Sequence, residues 1–396
     1  MKYHSKQKAF GIVAGTLTGN RGAEAMVTTC MQEIHSKYPD AIVHVFTYYP
    51  EQDTKEAVPT NVFVHSCTPV QLVTNWFILS LLAKIFPFLK NQKCKNGLGI
   101  LSFLELDAVL DVAGVSFIDG REKFLPFNVL TLFPFLLHKV PVFKMSQAIG
   151  PITSIPNRLF SSWVLPKLSY IFARGKKTLG FVQAFLKNHE KLRYAPDISF
   201  LLKADQQVAF EKRPEKIGII PSSLVFKKRP DYAAKLATFI ESVQKRGIEV
   251  EMIVHSWRAQ TNHPRNNDIV VAKQVNQSLE TPVQIVGEGL SAKEIKSRIS
   301  TCKMVVTSRF HGMIAALSTQ TPVLVIGWSH KYREVLQEFG FVDHAIDYKQ
   351  MDVDQLVQKT LQIYGHSVDD NQQIQKCLPT IKQDVEKQFE IVFKQI

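Results

Sequence analysis

Lys303-Met304-Val305-Val306-Thr307-Ser308-Arg309-Phe310-His311-Gly312-Met313-Ile314-Ala315-Ala316-Leu317 passes from an apolar run through a charged loop into an alanine-rich segment, and this passage decides the fold class. Residues 303–307 read as a short buried parallel strand, since a strand covered on both faces keeps few polar residues. Gly312 to Leu317 reads as the first turns of a helix. Arg309 and His311 therefore stand in a strand-to-helix loop. In open α/β sheets that is the carboxyl end of a strand, where ligands bind and helix N-terminal amides favour anions. Arg309 offers a planar fork to a carboxylate or phosphate, and His311, with an ordinary pKa near about 6.5, can trade a proton at neutral pH. A plainer reading pairs Arg309 with a nearby carboxylate and makes His311 a helix cap; the loop alone leaves both open.

The same strand-loop-helix order recurs along the chain. Phe10 to Ala14 predicts a first strand, Gly15 to Gly22 a glycine-rich loop, Ala23 to about His35 a helix and Ala41 to Thr47 a second strand. The glycines do not fit G-x-G-x-x-G, so the dinucleotide signal is weak, yet loop amides with Arg21 beside them suit a phosphate. Further strands run into small or polar loops at residues 108–120, 140–151 and 170–174, the last ending in the cation Arg174, and Leu192 to Asp197 follows. The polar stretch 204–216 predicts a linker between an N-terminal domain, 1–203, and a C-terminal domain, 217–372. In that second domain strands at Ile217, Val250 to His255, Val283 to Val286 and Val323 to Ile326 alternate with helices at Tyr232 to Lys245, Asp268 to Leu279 and Ala292 to Ser300. Residues 373–396 space Ile374, Leu378, Ile381, Val385, Phe389 and Val392 at helical intervals, predicting an amphipathic closing helix. The expected fold is α/β, with two Rossmann-like domains facing a cleft.

Composition bounds the function. At 396 residues the chain exceeds what one core usually serves. Lys and Arg outnumber Asp and Glu by 48 to 35, a formal charge of +13 that favours an anionic partner. The basic residues are not interleaved with aromatic ones as a nucleic-acid platform requires, so no nucleic acid is expected. Cys30, Cys67, Cys94, Cys302 and Cys377 are scattered without a CxxC pair, which argues against a zinc site and a disulfide framework and fits a reducing cytoplasm. The N-terminus lacks the apolar core and cleavage site of a secretory signal. Two apolar segments, Leu72 to Leu89 and Phe124 to Phe143, are interrupted by Asn75, Lys84 and Pro87 and by Pro126, Pro134 and Pro141. Both read as buried helices covering a sheet, the sharper alternative being a peripheral helix on the inner membrane face.

Taken in order, these motifs resemble the polysaccharide pyruvyl transferase family from about Gly11 to about Phe339. The later signature is Ser308-Arg309-Phe310-His311-Gly312, then Ala316-Leu317, the apolar Pro322 to Ile326 and the pair Lys331-Tyr332. Five other blocks agree: Asn20 to Ala25, Asp111 to Asp119, Ser146 to Pro151, Ala173-Arg174 and Pro196-Asp197. The chain departs from the pattern at Ala113-Gly114, where two glycines are usual, and at Gly175, where an acid is usual.

The resemblance implies a B-type glycosyltransferase-like pair of domains and transfer of pyruvate from phosphoenolpyruvate onto two hydroxyls of a sugar, free or lipid-linked, as a ketal in exopolysaccharide, capsule or cell-wall glycan synthesis. Arg309 and Arg174 would clamp the donor's carboxylate and phosphate. His311 would protonate the methylene carbon, and Asp119 or His255 would take a hydroxyl proton. Asn20, Arg21, Gly22, Gln147, Ser308 and Lys331 complete the expected substrate contacts, and Asp197 orders a loop. No metal and no cofactor are expected. The alternative is a nucleotide-sugar-dependent glycosyltransferase of the same architecture, with Gly19 to Gly22 on a diphosphate.

Overall fold

The computed structural model describes residues 7–91, 103–258, 267–327 and 330–396. Cys94 and residues 1–6 of the N-terminal segment lie outside them. The chain folds as two compact units: residues 1–17, 26–198 and 384–396 form the first, and residues 18–25 and 199–383 the second.

The first unit is built on a parallel sheet in the order β3-β2-β1-β4-β6-β7-β8, with β5 paired to β6. Its strands are β1 (Ala9–Gly15), β2 (Ile42–Thr47), β3 (Val62–Ser66), β4 (Ala108–Asp111), β5 (Val115–Ser116), β6 (Val142–Ile149), β7 (Tyr170–Ala173) and β8 (Leu192–Tyr194). Every residue of β4 and β6 is buried, as expected of central parallel strands covered on both faces. The strand order reverses between β1 and β4. Such a switch point leaves a crevice at the carboxyl ends of the two strands.

The second unit repeats the plan with β11-β10-β9-β12-β13-β14. These are β9 (Lys216–Ile220), β10 (Glu249–Ile253), β11 (Gln284–Val286), β12 (Met304–Thr307), β13 (Val323–Gly327) and β14 (Ala345–Asp347). Its reversal falls between β9 and β12, so the loop after Thr307 stands at the second switch point. The polar stretch 204–216 belongs to this unit. Its Arg213 is buried and donates to the carbonyls of Val208, Cys302 and Thr319 and to the Thr321 hydroxyl.

Two Rossmann-like parallel sheets are thus what the alternating pattern predicts, with β3, β14 and the helix Val353–Gly365 in addition to the expected elements. The closing helix spans Ser367–Lys394, longer than expected at its N-terminal end, where Asp369 and Asp370 favour the helix dipole. Its six spaced apolar residues are all buried.

The two apolar segments part company. Leu125, Val129, Leu132, Phe135 and Leu136 of the second are buried against the sheet, as predicted. The first forms a π-helical stretch, Leu72–Ile78, and an α-helix, Leu79–Ile85, burying only Leu72, Trp76, Ser80 and Ala83. Its other face is open: Val73, Ile78 and Leu81 are exposed, Ile85 is 61% exposed and Phe88 beyond it 63%. Wholesale burial of this segment is therefore corrected to burial of one stripe. No described helix is long and apolar enough to cross a membrane.

Candidate active site

The second unit's switch point is assembled from four strand ends and one inserted segment. After β12, Ser308 donates its backbone N–H to the carbonyl of Ile220 at the end of β9, 2.9 Å away, and its hydroxyl meets Tyr232 Oη at 2.7 Å. Ser308 is buried, so its contribution is to hold the loop. Arg309 is the extended residue that precedes the helix Phe310–Ser318, and the Thr307 hydroxyl accepts its backbone N–H at 3.0 Å. A Cβ on Gly312 would lie 2.5 Å from that same hydroxyl, so only glycine lets the helix start this close to the strand. His311 stands in the helix's first turn.

Arg309 is oriented by a residue that carries no motif in the sequence. Asp268, fully buried at the start of Asp268–Gln277, takes Nε at 2.9 Å and also Nη2. Nη2 reaches Ser223 Oγ at 3.1 Å as well. Asp268 is itself fixed by the backbone N–H groups of Ser223 and Ser256, at 2.9 and 3.0 Å. The bidentate edge expected to grip a ligand is thus spent on Asp268. Nη1 takes part in none of these bonds.

The segment 18–25 enters from the chain's beginning. Asn20 bridges to Ser256 antiparallel, and the Gly19 carbonyl accepts from Ser256 Oγ and from the Trp257 N–H at 2.8 and 3.1 Å. Asn20 accepts the Gly22 N–H, which shapes the turn into the helix Arg21–Lys37. A Cβ on Gly22 would stand 2.1 Å from His311 Nδ1, so the glycine lies flat against the imidazole. Arg21 is buried and donates to Glu24 at 2.6 Å, and Glu24 accepts the Ala292 N–H at 2.8 Å. Gly19 has φ +74°, and Arg258 packs over it, adding a cation the sequence reading did not single out.

His255, just beyond β10, completes the group. Burial pushes its pKa well below the usual histidine value, and the charges of His311, Arg309 and Arg21 push it further the same way. Its ring is thereby biased toward the neutral form beside Arg309 and Arg21. Lys331 lies over the rings of Phe310 and Tyr332, 4.7 and 5.6 Å from their centroids. The second unit therefore brings together Asn20, Arg21, Gly22, His255, Ser308, Arg309, His311 and Lys331.

Arg174, Asp119 and Gln147 belong to the first unit and have other surroundings. Arg174 is 4% exposed; it pairs with the buried Asp197 and donates Nη2 to the Gly114 carbonyl at 2.6 Å. Gln147 is fully buried, accepting from Ser116 Oγ at 2.6 Å and Lys144 Nζ at 3.0 Å while donating to the Asp111 carbonyl at 2.8 Å. Asp119 lies against the N-terminal end of the helix Ile155–Val164 and accepts from the Thr153 N–H and hydroxyl at 2.7 and 2.6 Å, the Ser154 N–H at 3.2 Å and Asn157 at 2.9 Å. Desolvation raises its pKa, but those hydrogen bonds from Asn157, Thr153 and Ser154 outweigh it and hold the carboxyl far below the ordinary range. Both of its oxygens are taken by protein donors, so this carboxylate orders the segment ahead of that helix.

Residues 20–330 match the polysaccharide pyruvyl transferase family, and the chain belongs to that family. General stress protein 30 of Bacillus subtilis (strain 168) is 32% identical over 81 residues, which are 19% of this chain and 24% of that protein. The chain thus matches about a quarter of that relative's length. Among solved structures, the UDP-GlcNAc 2-epimerase from Neisseria meningitidis bound to UDP-GlcNAc superposes with a TM-score of 0.61 at 11% identity, covering 98% of this chain and 100% of that one. The kitacinnamycin glycotransferase gives 0.56 at 10% identity over 98% and 99%. The likeness is one of fold, the B-type glycosyltransferase class.

Proposed function

We propose that the chain transfers the pyruvate group of phosphoenolpyruvate onto two hydroxyls of a sugar, forming a ketal and releasing phosphate in polysaccharide synthesis. What carries this reading within the family is the gathering at the second unit's switch point of Arg309, fixed on Asp268, and His311, against which Gly22 of the inserted segment lies, with His255 beside them and its pKa lowered by burial. One imidazole is set to accept a proton where cations gather for an anion.

The donor's phosphate and carboxylate take Arg309 Nη1, Arg21 and the first-turn amides of the helix Phe310–Ser318, with Lys331 assisting. His311 gives its proton to the methylene carbon, which becomes the methyl group, and positive character develops at C2. A sugar hydroxyl forms the first C–O bond there and its proton passes to His255. The C2–O bond to phosphate breaks, the second hydroxyl closes the ketal, and its proton leaves with phosphate. Asp119, with both oxygens taken by Thr153, Ser154 and Asn157, is left as the orderer of its loop.

We place this work in the cytoplasm, at the inner membrane face. In support of that surface, the exposed apolar face between Val70 and Phe88 carries Lys84 and no acid, a combination suited to anionic lipid. The deciding experiment incubates purified protein with carbon-labelled phosphoenolpyruvate and a panel of free and lipid-linked saccharides. Label in an acid-labile ketal with equimolar phosphate is expected. Transfer from a nucleotide sugar with release of nucleoside diphosphate, and no pyruvate incorporated into any acceptor, would replace the reading with a glycosyltransferase.

A further inference from the structure

The first unit has its own cavity of about 510 Å³ at its own switch point, the place where open α/β sheets bind ligands. That volume lies within the range of about 300–1,000 Å³ usual for small-molecule sites. Its floor is the loop 113–118 after β4, and Ala14 at the end of β1 closes one side. Tyr48, Tyr49, Phe124 and Phe127 supply aromatic walls, with Asn128 and Arg121 as polar groups. Tyr48 is fixed by its hydroxyl on Thr131 at 2.6 Å and its ring edge-on to Phe127 at 5.6 Å, while Arg121 lies 5.0 Å over Phe124.

Beneath the floor runs a buried polar network whose purpose the donor chemistry leaves unexplained. Lys144, fully buried, reaches Asp111 at 2.6 Å, Gln147 at 3.0 Å and Ser116 at 3.3 Å. Arg174, anchored on Asp197, holds the Gly114 carbonyl. Buried ion pairs contribute little net stability, and their best-attested use is to fix one geometry. Two of the five non-glycine residues with positive φ among the described residues, Ala14 and Phe117, also line this cavity, and a third, Ser146, precedes Gln147 in β6. Backbone strain of that kind persists where surrounding structure holds it in place, and it clusters at ligand sites.

We infer that this cavity is the saccharide site, taking a pyranose ring against Tyr49 and Phe124, and that Arg174 and Lys144 are positioning residues that hold its floor. Aromatic faces present the electron-rich surface on which sugar C–H groups pack, and Asn128 offers both donor and acceptor to hydroxyls. The inference rests on the pyruvyl-transfer reading for the class of acceptor, and it needs no donor to be tested.

The experiment measures binding of methyl β-galactopyranoside, methyl α-mannopyranoside and N-acetylmannosamine to the whole chain by saturation-transfer NMR, with phosphoenolpyruvate titrated separately by calorimetry. Tyr49→Ala and Phe124→Ala remove rings that are not fully buried, so the fold is retained. At least one saccharide is expected to saturate the protein and to bind about 3- to 10-fold more weakly in each variant, with phosphoenolpyruvate affinity unchanged. Saturation by none of the three, or wild-type affinity in both variants, overturns the inference. Saccharide binding by a protein that ignores phosphoenolpyruvate supports the cavity and removes the donor reading instead.

Discussion

Arg174 and Arg309 each stand just past the carboxyl end of a parallel strand, Arg174 beyond β7 towards one side of the first sheet and Arg309 beyond β12 at the second sheet's switch point, and they are held in opposite ways. Arg174 sits behind the loop it supports, with Asp197 and the Gly114 carbonyl taking its two terminal nitrogens. Arg309 gives Nε and Nη2 to Asp268, Nη1 takes part in neither bond, and His255 feels its charge. A cation beyond a parallel strand thus holds a loop in one unit and, on the reading proposed above, meets the donor in the other. Burial and the number of protein partners decide which.

The largest effects expected from this contrast fall on turnover in the second unit. His311→Ala, folded by circular dichroism, is expected to lose about 10²- to 10⁴-fold in kcat, the usual worth of a positioned proton donor. Arg309→Lys should fall comparably, because lysine cannot keep the paired edge on Asp268 and offer a second nitrogen as well. Near-normal rates in either variant would erase the distinction.

Arg174→Met should register first in stability. It strands the fully buried Asp197 carboxylate, and losing one partner of a buried pair costs about 3–5 kcal/mol, readable by denaturant unfolding. Arg174→Lys keeps the charge; it should raise KM for the sugar several-fold while KM for phosphoenolpyruvate stays put. Equal rises for both substrates would make Arg174 a donor ligand after all.

Gly22→Ala tests how closely the inserted segment approaches the imidazole. The new methyl would meet His311 Nδ1 at 2.1 Å and its Cβ at 2.8 Å, so kcat should drop at least tenfold, about 1.4 kcal/mol of barrier, alongside an overpacking cost of about 1–3 kcal/mol in stability. Crystallography of the variant would show the displaced ring.

The smallest effect is in pH dependence. A base works unprotonated, and the His255 pKa is lowered, so the ring stays neutral until the pH is well under the ordinary value near about 6.5. The acid limb of kcat/KM should therefore lie below pH 6.5, and a limb at or above it would assign the base elsewhere.

Much of this was legible in the chain. The parallel strands are short apolar runs ending in polar or small residues, so both sheets and the loop at Arg309 and His311 can be read from periodicity and breakers alone. β3 and β14 are edge strands, of which Val62–Ser66 is half polar-flanked and Ala345–Asp347 only three residues long; such segments carry little pattern of their own. Asp268 was invisible as a site residue because a lone acid at a helix start looks like an ordinary N-terminal charge, and only folding brings it to Arg309, 41 positions away. The aromatic cavity was equally hidden: Tyr48 and Tyr49 follow β2, whereas Phe124 and Phe127 lie far along the chain in a helical turn and the short helix after it, with no shared spacing. The exposed stripe from Val73 to Phe88 escaped for a different reason, since a run apolar on every side does not announce which face the sheet will cover.

The central claim is that the donor is held by the second unit's cations while Arg174 only shapes the first unit's cavity. Calorimetric titration of phosphoenolpyruvate into wild type, Arg309→Lys and Arg174→Lys, in the same buffer and without acceptor, tests it directly. The account predicts affinity weakened at least tenfold by Arg309→Lys and unchanged by Arg174→Lys; an equal loss in both, or a loss confined to Arg174→Lys, would contradict it.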